Sequence, residues 1–217
     1  MKVRAAKTLI FLFFFLTFLN INAQKILNQD SLLCHVNELR ENFGKNKKYP
    51  KPFELACLVA LSHFPELKDV KIEFKYKSIG KHSMEAQPTA DFFLDRYYKR
   101  TYKILINSKS QKKLGYSIEA LSFNQMVGIF GHELSHILQY QQRRNLGLII
   151  FLLSYLTTDF SKKVEFEADI IAIKHGLGWQ VYDFVNYILN NANLDKIYRN
   201  KKLKDYYSEK DILEFMK

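Results

Sequence analysis

Between Leu32 and Phe43 the apolar side chains stand at Leu32, Leu33, Val36, Leu39 and Phe43, which is the spacing of one helical face, and Gly44 is a stop signal. Lys45 to Lys51 reads as a basic loop. Pro52 suits the first turn of a second helix that reaches about His63 and ends before Pro65. The period then changes. Val70, Ile72, Phe74 and Tyr76 alternate with Lys71, Glu73, Lys75 and Lys77, the pattern of a half-buried strand over 70–79. Further extended segments are expected at 82–87, stopping at Pro88, and at 101–107. Helical spacing returns at Ser122, where Ser122-x-x-Gln125 is a capping box that opens a helix running to about Arg143. Residues 146–156 are almost wholly apolar. Helices follow at about 162–175, closed by Gly176, at 179–191, and at 209–216 behind a Ser208 cap. The expectation is an α+β fold, mostly helical, with a sheet of about three strands whose order stays open.

The N-terminus has the build of an export signal. Lys2, Arg4 and Lys7 precede the apolar run Thr8 to Leu19, and Ile21-Asn22-Ala23 is an imperfect small-residue cleavage site. The run is shorter than the roughly 20 residues of a membrane span. The reading is a signal peptide over 1–23 and one domain over 24–217, exported to a periplasmic or extracellular space, with an uncleaved N-terminal anchor as the alternative. Without residues 1–23 the net charge falls from +11 to +8. A basic exported protein can favour anionic membranes or acidic substrates. The lysines are scattered singly and in pairs without a nucleic-acid motif, so nucleic acid is not an expected partner. The two cysteines, Cys34 and Cys57, both fall in predicted helices; they form either a disulfide or two free thiols.

The chemistry lies in His132-Glu133-Leu134-Ser135-His136. On a helix, residues four apart project from one face, so both imidazoles can bind one metal ion at about 2.0–2.1 Å. Glu133 points to one side and can reach a water beside that ion, the placement of a general base. Ile129, Phe130, Gly131, Leu134, Ser135, Ile137 and Leu138 are all uncharged, in a chain that is 25% charged. The helix is therefore expected to be buried on most sides. Ionisable groups buried without partners cost several kcal/mol, on the order given for unpaired polar groups, and a metal supplies the partner. The competing reading is two core histidines with satisfied hydrogen bonds and a Glu at a helix rim.

A zinc site of this kind needs a third protein ligand. Downstream stands Glu165-Phe166-Glu167-Ala168-Asp169. Glu165 can complete the site, and Asp169, one turn along the same face, can accept the free ring N–H of a ligand histidine, with His132 the expected donor. Ala168 is small enough for close helix approach, and Glu167 points elsewhere. Taken alone, the pair also reads as an acidic solvent face behind Lys162-Lys163.

The two motifs together resemble the gluzincin peptidases, and among them the family of the CAAX prenyl endopeptidase and the HtpX-like heat-shock proteases. The resemblance rests on the order of the motifs, on the Ala-Asp ending and on the 28 residues between His136 and Glu165. It extends to Tyr102–Asn107, similar to the family's edge strand, and to Gly176-x-Gly-Trp-Gln after the ligand helix. It implies a minigluzincin core, one zinc ion per chain and internal cleavage of a peptide or protein substrate held extended on the strand at 102–107. This chain lacks the several membrane-spanning segments of the embedded members and looks like their short exported relatives. No residue matches the family's oxyanion stabiliser; His175, Arg199, Tyr206 and Tyr207 are the candidates, although His175 before Gly176 also reads as a helix C-cap residue. The apolar segment 146–156 is either a buried helix covering the sheet or the motif helix, or a peripheral membrane contact. The alternative to an enzyme is a zinc-binding but inactive protein of the envelope or membrane surface. Nothing in the chain specifies its oligomeric state.

Overall fold

The computed structural model describes residues 26–216 except 94, 97–98, 192 and 206–207. The expected signal segment 1–23 and the candidates Tyr206 and Tyr207 therefore lie outside the described residues.

The fold is α+β. The expected first helix is two: α1, Gln29–Leu33, and α2, Val36–Phe43, separated at Cys34 and His35. Within the expected basic loop, Lys47–Lys48 forms a short strand, β1. A 3-10 turn carrying Pro52 leads into α3, Glu54–Ser62, whose residues Ala56 to Leu61 are all buried. The strands β2 (Lys71–Lys77), β3 (Met84–Pro88) and β4 (Thr101–Asn107) follow. The short helix α4, Ser110–Leu114, precedes α5, Phe123–Gln141. Then come α6 (Asn145–Ser154), α7 (Thr158–Ala172), α8 (Gly178–Asn190), α9 (Lys196–Asp205) and α10 (Glu209–Phe215).

The sheet has four strands, not three, in the order β1-β2-β4-β3. β1 and β2, and β2 and β4, are parallel; β3 runs antiparallel to β4. This overturns one expectation. β4, the strand at 101–107, is interior, paired with β2 on one side and β3 on the other. Ile104 to Asn107 are buried without alternation, so both faces of the strand are covered there. β3 takes the edge.

The central element is α5. The capping box forms as its spelling predicts: Ser122 Oγ accepts from Gln125 N, and Gln125 Oε1 accepts from Ser122 N. Every residue from Met126 to Tyr140 is buried, because α3, α7, α8 and β3 all pack on this one helix. Gly128 sets the approach of α8. A Cβ there would lie 2.2 Å from the carbonyl oxygen of Gln180. At the other end, the buried guanidinium of Arg100 donates to the carbonyls of Tyr140 (3.1 Å) and Arg143 (2.8 Å), a cation at a helix C-terminus.

α7 and α8 are joined by a π-helical turn, Ile173–Leu177, in which Gly176 adopts φ 83°, so the predicted stop at Gly176 is a left-handed one. Cys34 and Cys57 are free thiols, the first exposed, the second wholly buried in α3, where burial pushes its pKa well up. The disulfide alternative is thereby set aside: one thiol faces water at the end of α1 and the other faces the core.

Candidate metal centre

α5 and α7 pack side by side, with Ala168 fully buried in α7. This contact carries Glu165 and Asp169 to the histidine face of α5. Among the described residues, His132, His136 and Glu165 form one group able to hold a metal ion, with ligand atoms all within 4.8 Å of one another. The two Nε2 atoms are 3.2 Å apart. Glu165 lies 3.3 Å from Nε2 of His132 through Oε2 and 3.6 Å from Nε2 of His136 through Oε1. Two ligand atoms at ~2.0–2.1 Å from a tetrahedral ion stand about 3.3 Å apart, so these separations fit such an ion.

The outer hydrogen bonds decide which ring nitrogens face the centre. His132 Nδ1 lies 2.7 Å from Asp169 Oδ1 and donates to that carboxylate. His136 Nδ1 lies 2.9 Å from Gln139 Oε1. The Gln139 amide cannot be turned round, since its Nε2 donates to Val164 O (3.2 Å) and to Glu167 Oε2 (2.9 Å). His136 Nδ1 is therefore the N–H, and its Nε2 offers a lone pair to the centre. His132 Nε2 faces that lone pair and the Glu165 carboxylate, so a positive charge must sit there, as a ring proton or as a metal ion. Burial works against an imidazolium at His132, but Asp169 and Glu165 outweigh it and push its pKa up to about 10. Burial, the first cause, lowers the pKa of His136, with the charge of His132 acting in the same direction. The donor set thus fits a divalent cation: two neutral nitrogens and a carboxylate, with two outer acceptors in place. The second oxygen of Asp169, Oδ2, is buried without a hydrogen-bond partner.

Glu133 is buried and reaches towards the sheet, where its Oε2 accepts the backbone N–H of Ala86 in β3 at 2.7 Å. Ala86 can offer that group because of strand register. The bonds Asn107 N to Ser83 O and Thr89 N to Thr101 O mark the odd-numbered residues of β3 as those paired with β4. Met84, Ala86 and Pro88 direct their backbone groups to the outer edge. The carbonyl of Ala86 takes the Tyr140 hydroxyl, 3.0 Å away.

His132, Glu133, His136 and Glu165 line a cleft of about 350 Å³. One wall is β3, another is Leu152 and Tyr155 of the α6 end, and Val181, Phe184 and Val185 of α8 make an apolar side. The further candidates do not join it. His175 stacks on Phe64 (ring centroids 4.4 Å apart), donates from Nδ1 to Ile171 O at 2.7 Å and faces Glu66, which is the C-cap arrangement. Arg199, half-buried on α9, does not line the cleft either. Tyr155 was not singled out by spacing, yet its hydroxyl lies 3.4 Å from His136 Nδ1. Gln139 was missed too. Its signal was present: i, i+3 from a ligand histidine on a helix face.

Comparison with known protein families, with characterised proteins and with solved structures finds no match to this chain. The centre stands on its geometry.

Proposed function

We propose that the chain is a zinc-dependent endopeptidase, acting outside the cytosol on a peptide or protein substrate. The observation that carries this reading is the carboxylate of Glu133, which lines the same cleft as the His132–His136–Glu165 group and is anchored to the edge strand beside it. A site that served only to bind metal has no need of a second, non-ligating carboxylate at the cleft.

A bound zinc ion supplies a Lewis acid that lowers the pKa of a water and polarises a carbonyl oxygen. Nε2 of His132, Nε2 of His136 and the carboxylate of Glu165 would hold it, while Asp169 and Gln139 keep the two Nδ1–H groups turned outward. Glu133, anchored through Oε2 to the backbone N–H of Ala86, has the carboxylate that takes the proton of the attacking water and later delivers it to the leaving amine. The substrate lies extended along β3, not β4. It pairs with the outward N–H and C=O of Met84 and the outward C=O of Pro88, and places an apolar side chain against Val181, Phe184 and Val185.

The test is metal content and turnover on one preparation. Wild type binds one zinc per chain and cleaves an unstructured protein substrate; His136→Ala loses the metal; Glu133→Gln keeps it and loses at least a hundredfold in rate, the scale of general-base catalysis. Stoichiometric zinc without cleavage in the wild type would support the inactive zinc-binding protein instead. Full metal retention in His136→Ala would sink both.

A further inference from the structure

We propose that the outward face of α6 docks on an anionic membrane surface. Leu146, Ile150 and Leu153 fall at i, i+4 and i+7 and so share one face, with Leu156 just beyond the helix end. Their exposures are 70%, 56%, 60% and 85%. The opposite face is occupied: Leu148 and Phe151 are buried, Phe151 lies edge-on to Tyr140, and Leu152 and Tyr155 wall the cleft. The helix is thus apolar on both faces and packed on one. Contiguous exposed apolar surface of this kind marks an interaction site.

Charge selects the occupant. Between residues 142 and 163 the chain carries Arg143, Arg144, Lys162 and Lys163 against the single acidic Asp159, and α6 itself carries no charge. Arg144, the N-cap residue of α6, is exposed beside the start of the apolar face, Lys163 is exposed on the following helix α7, and Arg143 lies over the Phe151 ring at 3.8 Å. An apolar stripe with a basic N-cap and predominantly basic flanking sequence matches the interface of an anionic bilayer, with leucine and isoleucine side chains entering the acyl boundary and cations meeting headgroups. A second copy of the chain would set like charges against each other. The apolar residues 8–19 of the same chain follow Lys2, Arg4 and Lys7 and are no better matched. Among the described residues no helix is long and apolar enough to cross a membrane, so the contact is one that lies on the surface. Because Leu152 and Tyr155 belong to the docked helix, the cleft opens beside the bilayer. On the peptidase reading, its substrates are polypeptide segments close to the membrane surface.

The experiment places a reporter on the face itself, in the full chain. Leu153→Trp in a Trp179→Phe background is mixed with vesicles of phosphatidylcholine alone, or with roughly one-third phosphatidylglycerol, each with brominated acyl chains. The expected result is a blue-shifted, quenched emission with the anionic vesicles only. Arg144→Gln and Lys163→Gln should each weaken the vesicle-dependent signal by roughly fivefold, the worth of about 1 kcal/mol per basic side chain near such a surface. Ile150→Trp gives the same readout one turn away should the first variant fold poorly. The signal reports α6 even where residues 8–19 hold the chain on the vesicle. No response to anionic vesicles overturns the proposal. So does a blue shift without vesicles: one that grows with protein concentration assigns the face to a second copy, and one independent of concentration assigns it to another part of the chain. Neither zinc nor turnover enters the measurement, so docking and peptidase activity stand or fall separately.

Discussion

The backbone N–H of Ala86 and the carboxylate of Glu133 meet at 2.7 Å, joining the edge strand to the central helix at the proposed general base. Both groups are buried, so each satisfies the other. Glu133→Gln keeps an acceptor for Ala86, whereas Glu133→Ala leaves that N–H without one. The alanine variant should be less stable than the glutamine variant by about 1–3 kcal/mol in denaturant unfolding of the metal-free protein. Equal stability of the two would show that the strand does not depend on this bond.

Asp169 and Gln139 should matter through the histidines they hold. Asp169→Asn weakens the hold on His132, and Gln139→Leu removes the acceptor for His136 Nδ1–H. Each should lower metal affinity by about 10–100-fold, the range seen for outer hydrogen-bond partners of metal ligands. Competition with a chromophoric chelator measures this directly. Glu167→Gln, which still offers an oxygen to Gln139 Nε2, should change affinity much less.

The raised pKa of His132 makes the metal-free protein sensitive to alkali. Its imidazolium is favoured in the folded state, about 10 against an ordinary 6.5. Between those values the folded chain holds more protons than the unfolded one, so stability falls as pH rises. The contribution is complete below pH 6.5 and lost on passing through about pH 10. Thermal unfolding in excess chelator should show this decline, and bound metal should flatten it by replacing the proton. Metal binding near neutral pH should release about one proton per ion, read by calorimetry in buffers of different ionisation enthalpy. Binding without proton release would contradict the charged His132.

Gly128 should tolerate no side chain. Its Cβ would meet backbone, the carbonyl oxygen of Gln180 at 2.2 Å, and a backbone atom cannot turn aside as a side chain does. Gly128→Val should cost at least about 1–3 kcal/mol, the range for overpacked sites. Unfolding midpoints of the variant and wild type decide it.

Much of the centre is legible in the sequence. His132 and His136 share a face because a helix returns every 3.6 residues, and Glu165 and Asp169 share one for the same reason. The Ser122 capping box and the Gly176 stop are equally local, as each needs only its neighbours in the chain. Even the burial of α5 could be read from its uncharged flanks. Gln139 shares the face of His136 at i, i+3, but only the folded contacts of its Nε2 with Val164 O and Glu167 Oε2 turn its oxygen to His136 Nδ1.

The sequence by itself determined the faces: which side chains of each helix and strand point together, hence the two halves of a metal site and an apolar α6. Tertiary structure alone decided how those faces meet. Strand order depends on pairing between distant segments, so only the folded sheet could put β3 rather than β4 at the edge and deliver Ala86 to Glu133. Only packing could give α6 one buried side and one open side, since a helix apolar all round has no internal preference for either. Periodicity acts along the chain, whereas register, edge and exposure are properties of the contacts between its parts.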